Sequence, residues 1–126
     1  MSHQPLILAE HAPTFSLPGI EFTGLAAPSR GAMESAVWLV TVAPDTPGAT
    51  HQLTREEVLV ALEGRARATV NGDVYEFAAG SALIVPAFTD FSLENPYASP
   101  FRAVAVLPVG GAAIVGTDSF TPPWAL

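Results

Sequence analysis

The sequence predicts an all-β domain, a sandwich or small barrel, and three features carry that expectation. Twelve prolines and ten glycines are spread along 126 residues and leave little room for a helix of ordinary length. Turn signals recur about every 8 to 12 residues, the spacing of short antiparallel strands. Between Arg65 and Phe77 two alternating runs flank Asn71-Gly72, the pair best suited to a type I′ hairpin turn.

The strands follow in order. Ser35 to Val42, rich in Val, Trp and Leu, is closed by the cluster Pro44-Asp45-Thr46-Pro47-Gly48. Ala49 to Leu53 and Val58 to Leu62 come next, the second ending at Gly64. Pairing across the Asn71-Gly72 turn sets Arg67 opposite Glu76 and puts Ala66, Ala68, Val70, Tyr75 and Phe77 on the other, apolar face. Ala82 to Val85 stops at Pro86, Phe91 to Glu94 stops before Asn95-Pro96, and Phe101 to Leu107 is the last long run. The Pro-rich ends, 1–30 and 108–126, are expected to form edge strands and arms, with Trp124 packed on the barrel or on a partner subunit.

Composition narrows the function classes. A chain of this length is one domain with one core, and 49% hydrophobic against 13% charged residues excludes a disordered chain. Five arginines, no lysine and twelve acidic residues give a formal net charge of −7, which disfavours nucleic acid and anionic membrane surfaces as partners. The absence of cysteine removes disulfides, thiolate nucleophiles and Cys-based metal sites. No apolar run is long enough to span a bilayer, and Met1-Ser2-His3-Gln4-Pro5 lacks signal-peptide character, so a cytoplasmic location is expected. The chain has no Gly-x-Ser-x-Gly elbow, phosphate loop or paired-His helix motif.

Within 45–95 the spacing resembles the two motifs of the cupin family. His51, Glu57 and Gly64 match the first motif, and Gly80, Pro86 and Asn95 match the second. Asp45 stands where the first motif opens with Gly, and Phe88 where the second has its Pro-x-Gly glycine. Leu53 and Phe91 occupy the positions of two of the family's metal-binding histidines, leaving His51 and Glu57. The resemblance implies a single jelly-roll β-barrel domain over 1–126, and it implies activities that range from dioxygenases, isomerases, epimerases and cyclases to storage proteins and ligand sensors. Barrels of this type also imply a homodimer, through edge strands or swapped arms.

Two donors are too few for a catalytic metal, which generally takes at least three protein ligands. The expectation is therefore no metal cofactor; a divalent metal, if bound, would use His51 and Glu57, completed by His3 or His11 from a swapped N-terminal arm. His51 and Leu53 share strand parity, so both are expected to point inward with Glu57 as the polar partner of the imidazole. Two readings of His51 and Glu57 stand: an acid/base pair moving protons near neutral pH, or a buried hydrogen bond in which each satisfies the other. The expected ligand pocket comprises His51, Leu53, Glu57, Tyr75, Phe77, Phe88 and Phe91; alternatively these rings fill the barrel. Arg55 and Arg102 are candidates to meet a ligand carboxylate, whereas Arg65 and Arg67 belong to the outer hairpin face. The leading functional expectation is binding of a small, largely apolar organic molecule, with isomerase- or cyclase-type proton transfer. The alternatives are a metal-dependent oxidoreductase with a rebuilt ligand set and a noncatalytic sensor or assembly module.

Overall fold

The alternation in the sequence becomes twelve short strands in a computed structural model that describes residues 5–126. They are β1 (Thr14–Leu17), β2 (Ile20–Ala26), β3 (Ser35–Val42), β4 (Gln52–Leu53), β5 (Glu57–Glu63), β6 (Arg65–Val70), β7 (Asp73–Ala78), β8 (Ala82–Val85), β9 (Phe91–Glu94), β10 (Phe101–Pro108), β11 (Ala113–Val115) and β12 (Asp118–Phe120). The strand pairs are antiparallel, and they assemble into a six-stranded sheet of order β1-β2-β3-β10-β5-β8 and two three-stranded sheets, β12-β11-β4 and β7-β6-β9. A bridge between His51 and Phe91 stitches the two smaller sheets together, each residue donating its N–H to the other's carbonyl at 2.9 Å. The result is a jelly roll in which a six-stranded sheet faces a composite one. No helix among the described residues is long and apolar enough to cross a membrane.

The core lies between the sheets because alternate residues point inward. Along β3 these are Ala36, Trp38, Val40 and Val42; along β10 they are Phe101, Ala103, Ala105 and Leu107. Leu53 and Phe91 approach from the composite sheet. The Asn71-Gly72 hairpin forms in the expected register, with Arg67 opposite Glu76 and an Arg67 Nε–Glu76 Oε1 separation of 3.5 Å. Its apolar face is only partly covered, however. Ala66, Ala68 and Phe77 are buried, whereas Tyr75 is half exposed. β7 is an edge strand, and Phe77 is held by Phe101 at a ring-centroid separation of 5.5 Å.

The Pro-rich ends are more integrated than edge arms. β2 lies inside the large sheet between β1 and β3, and the C-terminal turn Pro123–Ala125 packs on β2. There Trp124 stacks flat on Phe22 with ring centroids 3.6 Å apart. The Trp124 expectation is resolved toward packing on the protein's own sheet.

Two loop residues fix how the strands enter the core. Gly64 takes φ +73 between β5 and β6, where a Cβ would collide with the Pro100 carbonyl. Asn95 is fully buried and has every side-chain hydrogen-bonding role that reaches the backbone filled. Its Nδ2 donates to the Val42 and Ser99 carbonyls at 3.1 and 2.8 Å, and its Oδ1 accepts from Tyr97 N–H at 3.0 Å. Replacing Asn95 by Leu strands the buried Val42 carbonyl and removes the partners of the Ser99 carbonyl and the Tyr97 N–H. Asn95→Leu is therefore expected to destabilise the fold by roughly 2–4 kcal/mol, read as a lowered urea midpoint with unchanged slope; a loss below about 1 kcal/mol would contradict this role.

Candidate functional site

A cavity of about 250 Å³ lies between the sheets, walled mainly by apolar side chains. Trp38, Val40 and Val42 reach it from β3, Leu59 from β5, and Leu53 and Phe91 from the composite sheet. The aromatic end is closed by Phe22 and Trp124, with Phe120 and Pro122 beside them. Among the described residues, two ionisable side chains line it, His51 and Glu57.

Glu57 opens β5 opposite Val85 of β8, in phase with the inward residues Leu59 and Ala61. The strand alternation therefore carries a carboxyl group into the core. It is 5% exposed and accepts or donates no hydrogen bond to another protein group among the described residues. Burial in apolar surroundings penalises its charged form and pushes its pKa up to about 8. At neutral pH it is a protonated acid, a donor as well as an acceptor.

His51 reaches the same cavity from the composite sheet, fixed by its two backbone hydrogen bonds to Phe91. Its ring is tilted against Phe91 with centroids 5.4 Å apart. Nδ1 lies 2.9 Å from the Ala49 carbonyl oxygen. A carbonyl only accepts, so Nδ1 carries the hydrogen and, in the neutral imidazole, Nε2 is left as an acceptor. The expected His51–Glu57 contact is not formed: no hydrogen bond or ion pair within 4.0 Å joins them among the described residues. The reason is topological. The two groups enter from different sheets, and the Ala49 carbonyl takes the imidazole Nδ1.

Of the expected pocket, His51, Leu53, Glu57 and Phe91 line the cavity, and three residues do not. Tyr75 lies on the edge strand β7 and is half exposed. Phe77 is buried against Phe101 elsewhere in the core. Phe88 takes φ +57, the conformation a glycine would adopt there, and turns its ring outward, 61% exposed. Arg102 points away from the cavity and pairs with Glu63 at 3.8 Å, and Arg55 is exposed, so no arginine waits for a ligand carboxylate there. The aromatic wall of Phe22, Trp38, Phe120 and Trp124 was not among the expected residues. Its signal was partly available, since Trp38 shares parity with the inward Val40 and Val42; the contribution of the C-terminal segment was not.

The cation site that the cupin motifs imply does not fit these side chains. His51 and Glu57 are the donors present, Leu53 and Phe91 stand in the other two positions, and the described residues contain no group of three or more His, Asp or Glu that could hold a metal ion. His11, a candidate to complete such a set, is exposed in the turn Ala9–His11, and His3 lies outside the described residues.

Comparison with known proteins agrees with this architecture. Residues 38–107, more than half of the chain, match the family described as Cupin domain. No curated protein matches by sequence. Among solved structures, the polyketide cyclase RemF from Streptomyces resistomycificus superposes with a TM-score of 0.74 at 16% identity, covering 95% of this chain and 82% of that one. An RmlC-like cupin from Shewanella frigidimarina NCIMB 400 gives 0.72 at 16% identity, with 83% and 90% covered. The 7S globulin of Momordica charantia gives 0.75 at 19% identity over 88% of this chain, which spans 37% of the globulin. At these identities the likeness is one of fold.

The raised Glu57 pKa has a consequence for stability. Below pH 4.5, the ordinary value, folded and unfolded chains both hold the proton and no penalty arises. As pH rises toward 8, the unfolded chain ionises while the folded one retains its proton, so stability falls, levelling off above the folded pKa. Glu57→Gln is expected to remove that slope, gaining several kcal/mol (up to about 5) on wild type between pH 4.5 and pH 8. Urea unfolding of both proteins at the two pH values measures it; parallel pH profiles would contradict a protonated Glu57.

Proposed function

We propose that this chain, which belongs to the cupin family, binds a small, uncharged, largely apolar organic molecule between its sheets and shifts a proton on it without a metal ion. The observation that carries this reading is the placement of the buried Glu57 carboxyl and of His51, whose Nε2 is an acceptor, as the only ionisable groups among the described residues that line one apolar cavity. A cavity of about 150 Å³ holds benzene, so a volume of about 250 Å³ suits a ligand of roughly two fused rings. The flat walls of Trp38, Phe91 and the Phe22–Trp124 stack favour a planar, conjugated ligand. With no cationic side chain in the lining, a ligand carboxylate or phosphate would be buried unpaired at a cost of several kcal/mol.

The chemistry that fits is enolisation of a ketone. The Glu57 carboxyl donates a hydrogen bond to the ligand carbonyl oxygen, polarising it. His51 Nε2 takes a proton from the neighbouring carbon. The C–H electron pair becomes a carbon–carbon double bond while the carbonyl oxygen accepts the Glu57 proton. The products are an enol, an imidazolium and a carboxylate. Return of a proton at a different carbon isomerises the ligand, and attack of the enol carbon on a second carbonyl closes a ring. Keeping the acid and the base apart helps: two groups that met each other would exchange the proton between themselves. The superposition on a polyketide cyclase supports the cyclase form of this reading. The alternative of a metal-dependent oxidoreductase finds too few donors in the cavity, and the alternative of a noncatalytic sensor keeps the binding but not the proton transfer.

An enolisable bicyclic ketone, 2-tetralone, serves as probe. In D₂O the wild-type protein, stripped with EDTA, is expected to accelerate deuterium incorporation next to the carbonyl over buffer, followed by NMR. His51→Ala is expected to lower that acceleration by about 10²-fold or more, the usual worth of a positioned base. Tryptophan quenching by the ketone, unchanged in His51→Ala, shows that the cavity remains. Binding without exchange leaves the sensor reading. A stoichiometric metal lost on His51→Ala, with exchange restored by that metal, contradicts the proposal.

A further inference from the structure

Beyond β12 the chain runs from Phe120 through Thr121-Pro122-Pro123-Trp124 to Leu126. Two successive prolines have no N–H to give, which keeps this stretch out of any strand ladder. Its two backbone hydrogen bonds, from Ala125 N–H to the Pro122 carbonyl and from Leu126 N–H to the Pro123 carbonyl, close on the stretch itself. Among the described residues, the one hydrogen bond that ties it to the body of the protein runs from Ser29 Oγ to the Leu126 carbonyl, at 2.5 Å. The rest of its hold is aromatic. Trp124 lies flat on Phe22 and tilts against Phe15 and Trp38, with ring centroids 6.4 and 6.5 Å away. This lightly tied segment nevertheless supplies Pro122 and Trp124 to the wall of the chamber.

Arg30 lies beside the same segment. Its Nε donates to the Leu25 carbonyl at 2.6 Å and its Nη1 to Ser29 Oγ at 3.3 Å, whereas Nη2 is buried with no acceptor. Gly24 in β2 marks where that donor sits. A Cβ there would stand 2.8 Å from Nη2 and 3.4 Å from the Trp124 carbonyl oxygen. The seated segment thus passes close to a guanidinium donor and leaves it unsatisfied, which opposes its own seating, because the donor regains water when the cover lifts.

We propose that residues 121–126 are a lid on the chamber, that the ligand enters by lifting it, and that the stranded Arg30 donor keeps its seat shallow enough to open. The inference rests on the reading that the chamber takes the ligand. Lifting gives up one exposed hydrogen bond and one aromatic stack and breaks no ladder, so the segment opens while the core stays folded. A planar ligand passing this way meets the faces of Phe22 and Trp38 that Trp124 uncovers.

A cysteine lock tests it, in a chain that has no cysteine of its own. In Ser29→Cys/Leu126→Cys, oxidation to the disulfide is expected to slow tryptophan quenching by 2-tetralone about tenfold or more in stopped flow, and reduction is expected to restore the rate. Acrylamide needs no binding site and reads the lid by itself. Trp38 is buried, so acrylamide quenching reports Trp124, and it is expected to fall on oxidation. Arg30→Met keeps the reach of the side chain and removes the stranded donor. It is expected to hold the lid down, lowering acrylamide quenching and slowing 2-tetralone entry about fivefold or more; an Arg30 that merely props the segment would raise both when removed. If 2-tetralone quenches neither the oxidised nor the reduced protein, the binding reading fails, and unchanged acrylamide quenching on oxidation then overturns the lid separately. Where 2-tetralone binds, entry at the same rate in the locked and reduced proteins overturns the lid, and so does an Arg30→Met protein that opens more readily than wild type.

Discussion

A carboxyl group held in an apolar chamber without a hydrogen-bond partner among the described residues is the constraint on which the site depends. Strand phase makes it unavoidable: β5 begins at Glu57, and the alternation that buries Leu59 and Ala61 buries the acid too. Nothing in the cavity offsets its charge, so it keeps its proton, and a group that would be a base on the surface becomes a donor inside. Folding retains this cost because the rest of the core, from Trp38 to Leu107, supplies far more apolar burial than one carboxyl removes. The same dryness that raises its pKa would strengthen its hydrogen bond to a ligand.

His51 completes the arrangement through separation. The composite sheet holds it by backbone hydrogen bonds to Phe91, and Ala49 sets its tautomer, so its free nitrogen faces a problem different from that of the acid. Leu53 and Phe91, standing where the cupin motifs place histidines, add apolar surface to the lining that His51 and Glu57 share. The strands that build the chamber are held by turns such as those at Gly64 and Asn95.

Most of the fold was legible in the sequence. Asn71-Gly72 fixed the hairpin register, and Ser35 to Val42 and Ala82 to Val85 appear as strands with the bounds read from composition and turns alone. The inward positions of His51, Leu53, Glu57 and Phe91 followed from motif spacing and parity. Three things were not legible. Tyr75 has the right parity for the core but stands on the edge strand β7 and is half exposed, and which strand ends at a sheet edge is a matter of topology that local alternation does not carry. Phe88 stands at a position whose glycine-like φ turns its ring outward, so an aromatic that reads as lining becomes surface. The aromatic wall contributed by Phe120 and Trp124 arrives from the far end of the chain, and no local pattern announces where a terminal segment folds back. The Arg67–Glu76 pairing was visible as cross-strand complementarity, whereas the missing His51–Glu57 contact shows that shared inward direction does not give shared distance.

The protonation of Glu57 is open to direct measurement. With its side-chain carboxyl labelled with ¹³C, the chemical shift followed from pH 3 to pH 10 is expected to titrate with a midpoint near 8. A midpoint near 4.5, the ordinary value for this side chain, would mean that the chamber is wet or the acid paired, and the chemistry assigned to it would have no donor.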